Sequence, residues 1–154
     1  MEPEKIPIDY EKILDNLEKD LTKKMDDWNK IIDKLAKKIN CELKLSIDLS
    51  AETVSYRQMV NEERTHYYFI MYKDLPKLKK LRKTYFEHYS TKYPIKVNGS
   101  EKAKLIDADV AYHEAKMDYI QNYINFLTES LKTVDHIIYS VKNKIELYNA
   151  TGLD

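Results

Sequence analysis

Between Leu75 and Pro94 the chain reads LPKLKKLRKTYFEHYSTKYP, with six basic residues against one glutamate and four aromatic rings among them. Ammonium and guanidinium groups at this density attract polyanions, and aromatic faces between them can stack on unpaired bases, at about 1–3 kcal/mol per base. That chemistry is binding, not bond breaking. At about 100° per residue on a helix, Leu75, Leu78, Leu81, Tyr85, Phe86 and Tyr89 share one apolar arc, while Lys77, Lys79, Lys80 and Lys83 take the other side. Arg82 falls inside the apolar arc, where its guanidinium has to snorkel outward, stack on a tyrosine or meet an anion. A solvated helix face usually mixes both signs, because opposite charges at i,i+4 attract and like charges repel. Here Lys73, Lys77, Lys79, Lys80, Lys83, Lys92 and Lys96 have few acidic neighbours, and the repulsion calls for a complement. The residues alone leave three readings open: a surface for single-stranded nucleic acid, a surface for an anionic membrane or acidic protein, or plain structure with the tyrosines in the core.

Nothing else in the sequence competes as chemistry. Two glycines leave no material for a phosphate-cradling loop or a nucleophile elbow. His66, His88, His113 and His136 stand apart from one another and from Cys41, at no metal-ligand spacing. Asp107 and Asp109 would point about 200° apart on a helix, so they make no carboxylate pair. The expectation is a non-enzyme without metal or cofactor. A single cysteine forms no internal disulfide, and no apolar run approaches a membrane span. The N-terminal MEPEKIPIDYEK lacks the basic and apolar regions of a signal peptide, which makes the cytosol the expected compartment.

The zero net charge hides an uneven distribution. Residues 1–50 carry 10 basic against 12 acidic side chains, residues 51–100 carry 10 against 5, and residues 101–154 carry 6 against 9. A clustered field of one sign acts on partners regardless of the total.

The elements that must hold the basic segment are helical. With 34% charged and 43% apolar residues and four prolines, the composition suits long helices and excludes disorder and an all-β fold. After Asp9, a candidate N-cap, apolar residues recur at Tyr10, Leu14, Leu17, Leu21, Met25, Trp28, Ile32, Leu35 and Ile39, which predicts one amphipathic helix. Leu43, Leu45, Ile47 and Leu49 then alternate as a half-buried strand would, and Tyr93, Ile95 and Val97 offer a second strand to pair with it. Ser50 suits the N-cap of the next helix, and Pro76 predicts a kink or a restart capped by Asp74. Asn98-Gly99 signals a turn before the last helix.

That last helix carries the most regular pattern in the chain. Ile106, Val110, His113, Met117, Ile120, Ile124, Leu127, Leu131, Val134, Ile138, Val141, Ile145 and Tyr148 follow one another in steps of four and three. A sustained seven-residue repeat predicts a coiled-coil seam, with Met117, Ile120, Ile124, Leu127, Leu131, Val134, Ile138 and Val141 at a homo-oligomer interface. Tyr112, Tyr119, Tyr123 and Phe126 widen the face beyond a two-stranded stripe. The expected fold is therefore mainly α, with long amphipathic and coiled-coil-like helices and one small two-stranded β element. It divides into an N-terminal helix with a short extended segment (1–50), a basic aromatic region (51–98) and a heptad helix (99–154).

Read in order, these signals resemble the UvsY-like recombination mediators of tailed phages. The resemblance is carried by Lys83, Glu87 and Tyr89 in KTYFEHYS, by Ser100 and Glu101 followed by Ala108 and Asp109 in NGSEKAKLIDAD, by Tyr139, Val141, Lys142 and Asn143 in YSVKN, and by Gly152. It covers about residues 75–152, and Trp28 and LSIDLS give looser support. Tyr85 stands where that family often has a second cation. The resemblance implies a protein that binds single-stranded DNA and forms ring-like homo-oligomers. It also implies partners, a phage RecA-like recombinase loaded onto DNA covered by single-strand-binding protein, and a location in the cytoplasm of an infected bacterium. The DNA contacts expected are Lys77, Lys79, Lys80, Arg82, Lys83 and Lys92, with Tyr85, Tyr89 and Tyr93. The alternative is a coiled-coil adaptor or structural protein whose cationic helix docks on an acidic protein.

Overall fold

The computed structural model describes residues 9–152; the expectation that the first eight residues hold no signal peptide lies outside them. Three helices account for nearly all of the described chain: α1 (Tyr10–Lys37), α2 (Leu43–Glu87) and α3 (Gly99–Thr151). A 3-10 turn, Lys38–Asn40, follows α1, and a π turn, His88–Lys92, follows α2.

Local chemistry explains most of the ends. Asp9 caps α1 as its position predicts, its Oδ1 accepting the Lys12 N–H at 3.0 Å. At the far end of α1, the Lys144 ammonium donates to the carbonyls of Ile39 and Cys41, oxygens a helix end otherwise leaves to solvent. Asn98 and Glu101 cap α3 reciprocally: Asn98 Oδ1 accepts the Glu101 N–H at 2.9 Å and Glu101 Oε2 accepts the Asn98 N–H at 3.1 Å. Gly152, at φ 63°, closes α3 by donating its N–H to the Tyr148 carbonyl at 2.7 Å, a left-handed conformation that glycine adopts without strain.

Several expectations are corrected. No strand forms among the described residues: Leu43, Leu45, Ile47 and Leu49 open α2, and residues 93–98 are irregular. Ser50 lies inside α2 and caps nothing. The helix also runs through Pro76 without restarting at Asp74. The lost hydrogen bond is the one that Pro76 would have made to the Tyr72 carbonyl, on an exposed stretch of helix where water can replace it.

The chain divides into two compact units, one of Met1–Leu21 with Ile70–Gln121 and one of Thr22–Phe69 with Asn122–Asp154. In the second unit, Ile32 and Leu35 of α1, Leu49 of α2 and Val134, Ile137 and Val141 of α3 form one buried cluster. Ser46 and Thr53 are almost fully buried beside Leu49, and their small side chains let the helices approach closely. Thr53 satisfies its hydroxyl on the Leu49 carbonyl at 2.6 Å. Within the same unit a carboxylate ties all three helices together. Glu63 of α2 accepts Trp28 Nε1–H (3.1 Å) and Lys24 Nζ (3.3 Å) from α1, and the Tyr123 hydroxyl (2.5 Å) from α3. Tyr123 is fully buried, and burial together with this bond pushes its phenol pKa well up, so it acts as a fixed donor.

The heptad seam is largely covered within the single chain. Met117, Ile120, Ile124, Leu127, Leu131, Val134 and Val141 are already buried by the chain's own residues, and Ile138 is half-buried. A 45-residue α2 and a 28-residue α1 supply the partners that a 53-residue α3 needs, which the sequence reading had looked for in a second copy. The strict repeat also slips: His113 is exposed, and Ile137 (3% exposed) is buried more deeply than Ile138.

Candidate nucleic-acid interface

The basic segment belongs to the first unit, where α2 runs beside α3. Its inward arc is held by ion pairs as well as by leucines. Arg82 meets an anion, one of the three fates open to it: its guanidinium pairs with Glu114 and, at 3.0 Å, with Asp107. The hydrogen bonds it donates to Glu114 raise its pKa further, so it stays charged. Arg82, expected among the DNA contacts, thus ties α2 to α3 through Glu114 and Asp107. Tyr89 is likewise engaged. Its hydroxyl donates to Asp109 at 2.5 Å, and that bond pushes the phenol up to about 12. Tyr85 is half-buried, so of the three expected stacking tyrosines only Tyr93 is exposed. Tyr93 stands after the π turn, 5.0 Å from the Tyr89 ring and 6.0 Å from His88.

The lysines behave differently. Lys79, Lys80, Lys92 and Lys96 are exposed and make no ion pair among the described residues. Lys83 lies 3.9 Å from Glu87 with both side chains mostly in water, a contact of little energetic weight. Asp107, Asp109 and Glu114 of α3 are committed to Arg82 and Tyr89, so they do not neutralise this outer face.

Two aromatic residues that the sequence reading left out complete the surface. Tyr72 is 78% exposed and Phe86 53%. They are two heptads apart, and at about 100° per residue Tyr72, Leu75, Lys79, Lys83 and Phe86 fall within about 80° of one another. The Lys102 ammonium sits 4.9 Å from the Phe86 ring centroid and donates to Ser90 Oγ at 2.9 Å, which extends the cationic surface onto α3. Their spacing from Lys79 was the available signal; the apolar arc drawn through Phe86 concealed it.

Elsewhere, no group of three or more His, Cys, Asp or Glu is placed to hold a metal ion among the described residues, and no described helix is long and apolar enough to cross a membrane. No protein-family model matches the chain, and no curated protein or solved structure matches it either.

Proposed function

We propose that this chain is a non-enzymatic single-stranded DNA-binding protein that works as a recombination mediator, helping to load a RecA-like recombinase onto DNA covered by single-strand-binding protein. The observation that carries the DNA reading is the outer face of α2 in the first unit. There Lys79, Lys80 and Lys83 lie among the exposed rings of Tyr72 and Phe86, with Lys92 and Tyr93 following the π turn. Exposed cations that make at most weak ion pairs among the described residues, spaced along a helix and interleaved with aromatic faces, suit a flexible strand whose bases are free to stack. The mediator role and its partners rest on the UvsY-like resemblance of residues 75–152. A homo-oligomer in this reading meets through exposed apolar side chains of the second unit, such as Ile47, Val54 and Met59, because the α3 seam is occupied.

The test is fluorescence anisotropy with labelled oligothymidylate at several salt concentrations. Binding is expected with a log-log salt slope of about 0.7 per phosphate contact. Replacing Lys79, Lys80, Lys83 and Lys92 by alanine is expected to remove most of the affinity, and Tyr72→Ala with Phe86→Ala to weaken it at every salt concentration. Affinity that ignores salt, or that survives the four lysine substitutions, overturns the reading. In the adaptor alternative an acidic protein docks on the same cationic helix, and the aromatic substitutions leave oligonucleotide binding unchanged.

A further inference from the structure

In the first unit an open cleft of about 400 Å³ lies between α2 and α3, just past Pro76. Its floor is apolar, made by Leu78 and Leu81 of α2 and Met117 of α3, and three charged groups stand at its edge: Asp74, Lys77 and Lys116. The Asp74 carboxylate is shared, with Lys77 Nζ at 3.2 Å and Lys116 Nζ at 3.4 Å. Burial pushes the Asp74 carboxyl up, but the two ammonium groups outweigh it and hold its pKa below the ordinary value, so the carboxylate is ionised. Two cations against one anion leave the rim with a surplus positive charge.

The position of Lys77 links this cleft to the outer face. Counting at about 100° per residue from Lys79, the lysines of α2 sweep round the helix through Lys83 and Lys80 to Lys77, whose side chain is 75% exposed. The cleft begins where that sweep ends. Ligand pockets of about 300–1,000 Å³ with an apolar wall and a few polar groups accommodate small organic molecules, and one nucleotide falls in that class. An apolar floor that includes a methionine thioether suits the face of a base, and the cationic rim suits its phosphate.

We infer that this cleft is a nucleotide subsite: a single strand crossing the lysine face of α2 seats one base against Leu78, Leu81 and Met117, with the adjoining phosphate held by Lys77 and Lys116. The inference rests on the single-strand reading and adds to it a contact on α3, Lys116, that the basic run does not contain. In the apo chain Asp74 occupies both ammonium groups, so it competes with the phosphate for them.

The competition gives two substitutions of opposite sign. With labelled oligothymidylate, Lys116→Gln is expected to weaken binding and lower the salt slope by about 0.7, one phosphate contact on a single strand. Asp74→Asn is expected to tighten binding by about threefold, the scale of a partly exposed ion pair. Both variants break an ion pair with Asp74, so a role confined to holding the fold makes them change in the same direction. In protein labelled at the methionine methyl carbons, the strand is expected to shift the Met117 resonance, which Met117→Leu identifies. Oligothymidylate binding by the parent chain with an unchanged slope in Lys116→Gln, no gain in Asp74→Asn and a stationary Met117 signal overturns the subsite and leaves the lysine-face reading intact. Absence of salt-dependent binding by the parent chain overturns both.

Discussion

The two units are built from the same alphabet of lysine, glutamate, tyrosine and leucine, yet they place it in opposite ways. In the second unit the polar groups turn inward or pair across helices: Glu63 gathers Trp28, Lys24 and Tyr123, and Arg57 meets Asp135 at 2.5 Å. In the first unit Asp107, Glu114 and Asp109 of α3 are drawn to Arg82 and Tyr89, and Lys79 and Lys80 of α2 are exposed. A tyrosine in the second unit, Tyr123, is fully buried; one in the first, Tyr72, is among the most exposed side chains described. The difference teaches that charge imbalance in this chain is local in space and not only in sequence. Formal charge balances in both units, 14 basic against 14 acidic side chains in the first and 12 against 12 in the second, so what sets the first apart is where its exposed lysines, Lys79, Lys80 and Lys92, stand.

The largest expected effect on stability comes from the second unit. Leu127 is fully buried, so Leu127→Ala is expected to cost about 2–5 kcal/mol in denaturant unfolding through lost transfer energy and the cavity left behind. Strand affinity of the protein that remains folded is expected to stay unchanged. An affinity loss without unfolding would break the comparison. Next in size is Tyr123→Phe, which removes one donor from a largely buried carboxylate. A hydrogen bond to a charged group contributes about 1.5–3 kcal/mol, and unfolding by urea should register a loss of that order, again without a change in DNA binding.

The comparison sharpens within the first unit, where two neighbouring cations have different employment. The double substitution Lys79→Ala with Lys80→Ala is expected to lower the salt slope of oligonucleotide binding by about 1.4, two phosphate contacts, while leaving the unfolding midpoint where it was. Arg82→Ala is expected to do the reverse. It abandons Glu114 and Asp107 and costs about 1 kcal/mol of stability, modest because the partners are partly in water, with little change in slope. If Arg82→Ala lowers the slope as much as Lys80→Ala does, the split between fastening and binding cations fails.

How much of this was legible beforehand follows from which side chains face inward. α1 was readable because its buried residues, Leu21, Trp28, Ile32 and Leu35, are large and apolar and recur at helical spacing. The start of α2 was not, because its inward row includes Ser46 and Thr53, which look polar, while Leu45 and Ile47 point outward at 52% and 58% exposure. Alternation of Leu43, Leu45, Ile47 and Leu49 therefore imitated a strand. The α3 pattern was read correctly as a helix, but periodicity reports that a face is covered and not by which residues, and here α3 residues such as Ile124 and Val134 are buried within the chain itself. In the site, the lysines were visible as a run, but Asp107 and Glu114 lie 25 and 32 residues from Arg82, and no local pattern announces such a pairing. Lys116 was invisible for the same reason.

The smallest expected effect concerns the contact between Tyr89 and Asp109, and it is read in pH. The folded chain raises the Tyr89 phenol from its ordinary value near 10 to about 12, so the protonated form is the one that folding favours. The stabilisation is fully present below pH 10, where the phenol is protonated both folded and unfolded, and is lost as pH rises toward 12, where folding must hold a proton the unfolded chain has released. Tyr89→Phe is expected to be slightly less stable than the parent at pH 8, with the gap narrowing above pH 10; comparing the two proteins at each pH cancels the titration of the lysines. A gap that does not depend on pH would mean that the ring, and not the hydroxyl, holds the end of α2 to α3. The π turn would then be positioned by the aromatic cluster of His88, Tyr89 and Tyr93, and Tyr93 would no longer be free to stack on a base.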